Sequence, residues 1–269
     1  MIRLDQSAAA TVAGRLGVVA GALGLWQVLS AVGYLPPDQF PSMTATLVAF
    51  GGLFFQGSFW AAVWATLQGW GLGLLIGGGG AILVGSLLGA NRFAHRSAIP
   101  VIEFLKTVPV VAILPLALLL FGTTLRMKYS LVAFGVFWPL VIQVIYGVRS
   151  IDPTIKDTAK ALQVRGVRRF AVVTMPSAAP FIATGLRVAA ATALILDIVA
   201  ELIGGGQGLG LRILTALNSG PSAYPVMYAY IVATGVLGLA LAGTFLLLER
   251  RFLHWHESQR HVRESARAA

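Results

Sequence analysis

Residues 65–90 read ATLQGWGLGLLIGGGGAILVGSLLGA and contain no charged side chain. A hydrocarbon core of about 30 Å and a helical rise of about 1.5 Å per residue require about 20 apolar residues for one crossing. This stretch is therefore long enough to span a bilayer as a helix. Its small residues recur every fourth position, at Gly69, Gly73, Gly77, Ala81, Gly85 and Gly89. Small residues at this spacing let helices approach closely in lipid, and we expect this face to pack within one subunit.

The composition of the whole chain agrees with this first helix. Of its 269 residues 57% are hydrophobic and 11% are charged, and the mean hydropathy is +0.81. These values exclude a soluble enzyme, a disordered chain and a disulfide-rich secreted domain, and the chain has no Cys. We expect an all-α fold: a polytopic membrane helical bundle that forms a single transmembrane domain over residues 1–269.

Apolar runs of crossing length predict about six transmembrane helices. They cover residues 12–32, 65–90, 99–122, 129–148, 181–203 and 226–248. With the N-terminus placed inside, fifteen Lys and Arg residues lie in cytoplasmic segments and three, Arg126, Lys128 and Arg212, lie outside. The positive-inside rule therefore favours an N-in and C-in orientation. Because topology explains the basic excess, we expect no nucleic-acid partner.

Prolines and charges within the third predicted crossing are candidates for a translocation pathway. Pro109 and Pro115 each remove a backbone donor, so this helix should be kinked or broken. Prolines at membrane depth point weakly to a transport path, and structural tolerance is an equal alternative. Lys106 can pair with Glu103 three residues earlier, or extend towards the cytoplasmic interface.

The fifth predicted crossing carries two carboxylates one helical turn apart, Asp197 and Glu201. Two such groups in an apolar run are costly and need partners, water or ions. They either line the outward end of a pathway or pair with Arg187 or with another helix, and the sequence leaves both interpretations open. The pathway candidates are thus Lys106, Pro109, Arg187, Asp197 and Glu201.

A polar segment of about residues 149–180 separates the fourth and fifth crossings. Asp152 or Ser150 can cap a helix that begins at Pro153, and Gly166 interrupts the apolar pattern that follows. This predicts two short helices joined by a turn along the membrane surface. Such an element offers a partner an apolar ridge flanked by cations, and the alternative is an amphipathic helix resting on acidic headgroups.

Short motifs occur along the chain in a fixed order. They are Leu25-Trp26-Gln27 with Leu35-Pro36-Pro37, Val108-Pro109 with Leu114-Pro115, Asp157 to Gln163 with Met175-Pro176, Gly185-Leu186-Arg187, and Ala200-Glu201-Leu202 with Gly208-Leu209-Gly210. In this order they resemble the permease subunits of bacterial ABC importers, most of all the taurine, aliphatic sulfonate and nitrate permease family. The likeness covers nearly the whole chain.

The polar segment departs from the pattern of that family's coupling loop at four positions. Asp157 stands where the pattern has Glu, Thr158 where it has Ala, Gln163 where it has Gly, and Met175 where Leu is usual. Since Gly permits a turn that side chains resist, we expect the bend to move to Gly166.

The resemblance implies a transmembrane permease subunit of an ATP-driven, binding-protein-dependent ABC importer in the bacterial inner (plasma) membrane, where it is a multi-pass protein. Two cytosolic P-loop ATPase subunits would dock on the coupling loop, a second permease copy would complete the pathway, and an extracytoplasmic substrate-binding protein would deliver a small anion such as a sulfonate or nitrate. The coupling residues carried over are Asp157, Thr158, Ala159, Ala161, Leu162, Gln163, Gly166, Arg169 and Pro176. A basic C-terminal tail follows at about residues 249–269.

The chain has no Gly-x-x-x-x-Gly-Lys-Ser/Thr motif and no catalytic or metal-binding pattern. We therefore expect no enzymatic activity and no cofactor on this chain, with ATP and Mg bound by the partner ATPases. An alternative class is an ion-gradient-driven secondary transporter or channel that uses Asp197, Glu201 and Glu103 as ion sites. A third is a membrane anchor that assembles a cytoplasmic complex.

Overall fold

The computed structural model describes residues 6–36 and 38–252, and their regular secondary structure is helical. The helices are α1 (Gln6–Ala31), α2 (Met43–Leu53), α3 (Gly57–Ala90), α4 (Arg92–Lys106), α5 (Leu114–Phe121), α6 (Leu125–Arg149), α7 (Pro153–Ala161), α8 (Gly166–Arg169), α9 (Met175–Gly204), α10 (Leu209–Asn218) and α11 (Tyr224–Phe252). The predicted all-α class is confirmed. The predicted tail lies outside the described residues from position 253 onwards.

Three helical segments within the described residues are long and apolar enough to cross a membrane. They are α3, α6 and residues 221–252, which include α11, and a fourth arises if α4 and residues 110–121 form one bent span. The six crossings and the N-in, C-in orientation stay predictions.

The predicted break in the third crossing is confirmed. The axes of α4 and residues 110–121 differ by 79°. Pro109 lies between the two helices, and Pro115 lies in the first turn of α5. Neither proline removes a donor from the interior of a helix, because the first amides of a helix have no intrahelical acceptor.

The glycine face of α3 packs against α6, as its spacing predicts. A Cβ atom added at Gly77 would lie 2.5 Å from the Ala133 carbonyl oxygen, and one at Gly85 would lie 2.7 Å from Cβ of Val144. The two backbones therefore approach closely within one subunit. On its other side α6 packs against α9, and the main core forms between these three helices.

A second apolar cluster joins the predicted outer ends of the bundle. Helix α10 packs against α9 and α11, and α11 also contacts α2. The buried residues of this cluster include Leu53, Phe59, Leu209, Ile213 and Tyr230. This cluster fixes the turn between α9 and α10 next to the site described below.

The coupling segment, residues 149–180, contains α7 and α8. Asp152 caps α7 by accepting a hydrogen bond of 2.6 Å from the Thr154 amide, and Pro153 is the first helical residue, both as predicted. The expectation that the bend moves to Gly166 is only partly met. Gly166 has φ +56°, but Gln163 also takes a left-handed φ of +53°. The connection from α7 to α8 therefore needs both turns, and a side chain occupies one of them.

Candidate functional site

A buried ion cluster lies where α3, α6 and α9 meet near the α9–α10 turn. It consists of Thr66, Lys128, Asp197 and Glu201. Lys128 is 2% exposed, and the other three are 0% exposed. Charged side chains are almost never fully buried without partners, so the contacts of this cluster decide what it can do.

Lys128 connects three parts of the chain through its ammonium group. Its Nζ lies 2.5 Å from Oε1 of Glu201 and 3.6 Å from Oδ1 of Asp197. It also donates hydrogen bonds to the carbonyl oxygens of Ala65 at 2.8 Å and Gln207 at 2.9 Å. The three donors of the ammonium group are thereby used, and one cation ties α3, α6 and the α9–α10 turn together.

Glu201 is held on both of its oxygens. The Thr66 hydroxyl donates to them at 2.9 and 3.1 Å, and the Gly210 amide donates to Oε2 at 2.8 Å. The Thr66 hydroxyl oxygen in turn accepts a hydrogen bond of 3.0 Å from the Leu209 amide. Because Leu209 and Gly210 begin α10, the carboxylate of Glu201 fixes the first amides of that helix.

Asp197 contributes charge rather than hydrogen bonds. Neither of its oxygens has a hydrogen-bond partner within residues 6–36 and 38–252. It fits only because α3 has no side chain at Gly69, where an added Cβ would collide with Oδ1 of Asp197. With one ammonium group facing two carboxylates, the site carries no spare cation for a further anion.

The structure brings Asp197 and Glu201 together but pairs them with Lys128, a residue that the sequence reasoning placed in an outer loop. Helix α6 begins at Leu125, so Lys128 lies in its first turn and is buried. Lys128 is therefore the partner of both carboxylates. Pairing with another helix was one of the two interpretations that the sequence left open. The position of Lys128 next to the start of an apolar run was the feature of the sequence that could have indicated its burial.

The other pathway candidates lie apart from this cluster. Arg187 is half-buried and pairs with Glu249 of α11 at 3.1 Å, not with Asp197. Lys106 pairs with Glu103 at 2.6 Å, as its spacing allows, and both side chains are partly exposed. Pro109 is exposed at the bend before residues 110–121.

A shallow cavity of about 220 Å³ between α6 and α9 was not anticipated from the sequence. Its walls are mostly apolar, with polar groups from Gln143, Thr184 and Thr192. The Thr192 hydroxyl donates to the carbonyl of Val188, whereas no described residue hydrogen-bonds to the Gln143 side chain. This leaves an amide available to a ligand in the wall of a membrane helix.

The predicted coupling residues share one exposed segment. Asp157, Thr158, Ala161, Leu162, Gln163, Gly166 and Pro176 are exposed, Arg169 is half-buried, and Ala159 is buried beneath them. Leu162 and Val167 are 71% and 85% exposed and form an apolar ridge. Asp157 pairs with Lys160 at 2.8 Å, and the hydrogen bond from that ammonium group keeps the pKa of Asp157 below its ordinary value.

Comparison with solved structures supports the fold. The fold is similar to that of a chain of the MetNI methionine ABC transporter, with a TM-score of 0.64 at 18% identity, over 72% of this chain and 95% of that one. The all-α bundle therefore shares its fold with that transporter chain.

Sequence comparison then gives the family. Residues 81–254 match the family described as binding-protein-dependent transport system inner membrane component, and the chain belongs to it. It is 30% identical to SsuC of Escherichia coli (strain K12), named as an aliphatic sulfonates transport permease protein, over 91% of this chain and 92% of that protein. It is also 30% identical to the nitrate import permease protein NrtB of Leptolyngbya laminosa, over 69% of this chain and 66% of that protein. The chain is thus a membrane protein and the permease subunit of an ABC importer, as its motifs indicated.

Proposed function

We propose that two copies of this chain form the pathway of an importer for a small organic or inorganic anion in the bacterial inner membrane. Two cytosolic ATPase subunits would bind ATP and Mg and dock on the coupling segment of the single domain, and an extracytoplasmic binding protein would deliver the solute. The names of two relatives refer to aliphatic sulfonates and to nitrate, which are anions, and this supports an anion as the solute.

The observation that carries the ATPase proposal is the exposed apolar ridge of Leu162 and Val167. Isolated apolar side chains are common on surfaces, but these two flank a turn with two left-handed residues, Gln163 and Gly166. A partner that covers the ridge would bury both side chains at little cost in ordering, because the turn is already formed.

The buried ion cluster argues against a transporter driven by an ion gradient. An ion-gradient-driven transporter would need Asp197 or Glu201 in contact with water or an ion. Both side chains are fully buried in this structure, and Lys128 neutralises one of the two charges. We therefore assign them to the architecture of the permease rather than to its substrate.

The docking proposal is tested by purifying the tagged chain from gently solubilised membranes with whatever remains bound. We expect a P-loop ATPase with the wild type and its loss with Leu162→Glu/Val167→Glu. The control is Phe55→Glu, which places one negative charge, against two in the double variant, on a side chain 91% exposed just before α3. An ATPase retained by the double variant, or a wild-type chain that transports alone under an ion gradient, would contradict the proposal.

The pathway is tested at the cavity between α6 and α9. We propose that the Gln143 amide donates to the anion as it passes, so Gln143→Leu should reduce ATP-dependent uptake of the anion while ATPase binding is retained. The control Ile195→Gln changes an exposed position of α9 that does not line this cavity. Uptake at the wild-type rate in Gln143→Leu would remove this residue from the pathway.

A further inference from the structure

A basic cavity of about 530 Å³ lies between the coupling segment and the ends of the helices above it. Its walls come from the end of α3, the start of α4, the end of α6 and the segment from Ile151 to Thr174. The exposed ridge residues Leu162 and Val167 do not line it. The cavity therefore excludes the two ridge residues proposed above for the ATPase, although Gly166 and Arg169 of the coupling segment line it.

Four cations surround this cavity: Arg92, Arg149, Lys156 and Arg169. No carboxylate in the described part of the chain forms an ion pair with any of them. The acidic groups closest along the segment are Asp152, which caps α7, and Asp157, which pairs with Lys160. Each also attracts one of the four cations, Lys156 and Arg169 respectively, without forming an ion pair with it. Four like charges drawn around one concavity repel one another, so an anion between them is favoured.

The shape and position of the cavity favour one kind of anion. Its cationic rim continues into an apolar wall that includes Val148 and Phe170. It also lies where the long helices α3 and α6 end, which for a spanning protein is the level of the lipid headgroups. A phosphodiester would match the cations and a glycerol ester the apolar wall, and basic cavities between membrane helices on the cytoplasmic side suit anionic headgroups.

We propose that this cavity binds the headgroup of one anionic phospholipid of the cytoplasmic leaflet, with its phosphodiester between the four cations. The lipid joins the coupling segment, through Lys156 and Arg169, to the helix ends, through Arg92 and Arg149. The proposal depends on the charge and shape of the cavity and on the predicted N-in, C-in orientation, and it is independent of which solute is transported.

The test counts phosphatidylglycerol bound to the full-length chain by native mass spectrometry from a mild detergent. Phosphatidylcholine with the same acyl chains is the lipid control. The test variant is Arg92→Gln/Arg149→Gln/Lys156→Gln/Arg169→Gln. The matched variant removes four exposed cations that do not line the cavity, and it is Arg96→Gln/Arg126→Gln/Arg165→Gln/Arg168→Gln.

We expect one phosphatidylglycerol per wild-type chain, retained over phosphatidylcholine. Each cation removed from the cavity should weaken binding about fivefold, and all four should weaken it more than about a hundredfold. The matched variant should bind as the wild type does. A charge-preserving variant, with Lys at the three Arg positions and Arg at Lys156, should retain most of the binding and shows that loss in the Gln variant is not loss of folding.

Three results would overturn the proposal. Equal phosphatidylglycerol binding by the test variant and the wild type would show that the lipid does not bind in this cavity. Displacement of the lipid by millimolar inorganic phosphate would assign the cavity to a free phosphate. Displacement by a bound ATPase would make the cavity a protein docking site.

Discussion

Replacing Lys128 by Met should be among the most destabilising changes of a single charge in this protein. The side chain is 2% exposed, and its Nζ lies 2.5 Å from Glu201 and 3.6 Å from Asp197, both 0% exposed. Methionine fills a similar volume but leaves two carboxylates buried without a cation. Breaking a buried pair in this way costs about 3–5 kcal/mol.

The hydrogen bonds of Lys128 place the expected decrease in the free energy of unfolding at the upper end of this range. The carbonyls of Ala65 and Gln207 lose their donor, and each lost hydrogen bond costs about 1 kcal/mol. Asp197→Asn should behave differently, because it leaves one cation facing one carboxylate and removes no hydrogen bond. We expect its free energy of unfolding to stay within about 1 kcal/mol of wild type.

The measurement is the free energy of unfolding in mixed micelles titrated with a denaturing detergent. Arg126→Met is the matched control, since it removes an exposed cation from the same first turn of α6. The triple variant Lys128→Met/Asp197→Asn/Glu201→Gln should recover at least half of the loss. A Lys128→Met protein as stable as Arg126→Met would refute the argument that this lysine compensates buried charge.

Three further changes test other features. Gly77→Ala should destabilise the protein by about 1–3 kcal/mol in the same titration, because the added Cβ would lie 2.5 Å from the Ala133 carbonyl oxygen. The control is Gly79→Ala, whose added Cβ meets nothing within 4 Å, and it should be neutral or stabilising. Gln163→Gly should stabilise the turn after α7 by up to about 1 kcal/mol, seen as slower local hydrogen exchange, and Gln163→Ala should not. The hydrogen bond from the Thr154 amide lowers the pKa of Asp152. The stabilisation by this cap is therefore complete above the ordinary Asp pKa and is lost as the pH falls through the lowered pKa of the folded chain. The protection of the Thr154 amide relative to its intrinsic exchange rate should fall over this range, and at neutral pH it should fall in Asp152→Ala but not in Asp152→Asn.

Local rules predicted the parts of the fold that depend on a few neighbouring residues. The break near Pro109, the cap at Asp152 and the small-residue face of α3 each follow from backbone sterics or from spacing along one helix. Each therefore requires no knowledge of which helix packs against which.

The composition of the buried ion cluster was less accessible to such rules. The sequence identified Asp197 and Glu201, because carboxylates in an apolar run need partners. The partner Lys128 is 73 residues away from Glu201, and its burial depends on where α6 begins and on the path of the α9–α10 turn. Arg187 was the nearer cation, but it faces α11 and pairs with Glu249.

The left-handed backbone at Gln163 was not predicted, for a different reason. Intrinsic backbone preference moves a left-handed turn to a glycine, and Gly166 does take such a conformation. The chain nevertheless bends at Gln163 as well, because the connection to α8 and on to α9 requires both turns. Tertiary geometry thus overrides local preference at an exposed position.

The missing side chain at Gly69 has a consequence for how this protein can evolve. Its empty space is the space that the Asp197 carboxylate occupies, so the two positions cannot change independently. An added Cβ would also lie 2.5 Å from Cε of Lys128, so an alanine at position 69 should become acceptable only after Asp197 has been replaced by a smaller residue and the Lys128 side chain has moved. The reverse order passes through an unstable intermediate. We expect the two positions to covary among related permeases, with glycine at the first wherever an acidic residue stands at the second.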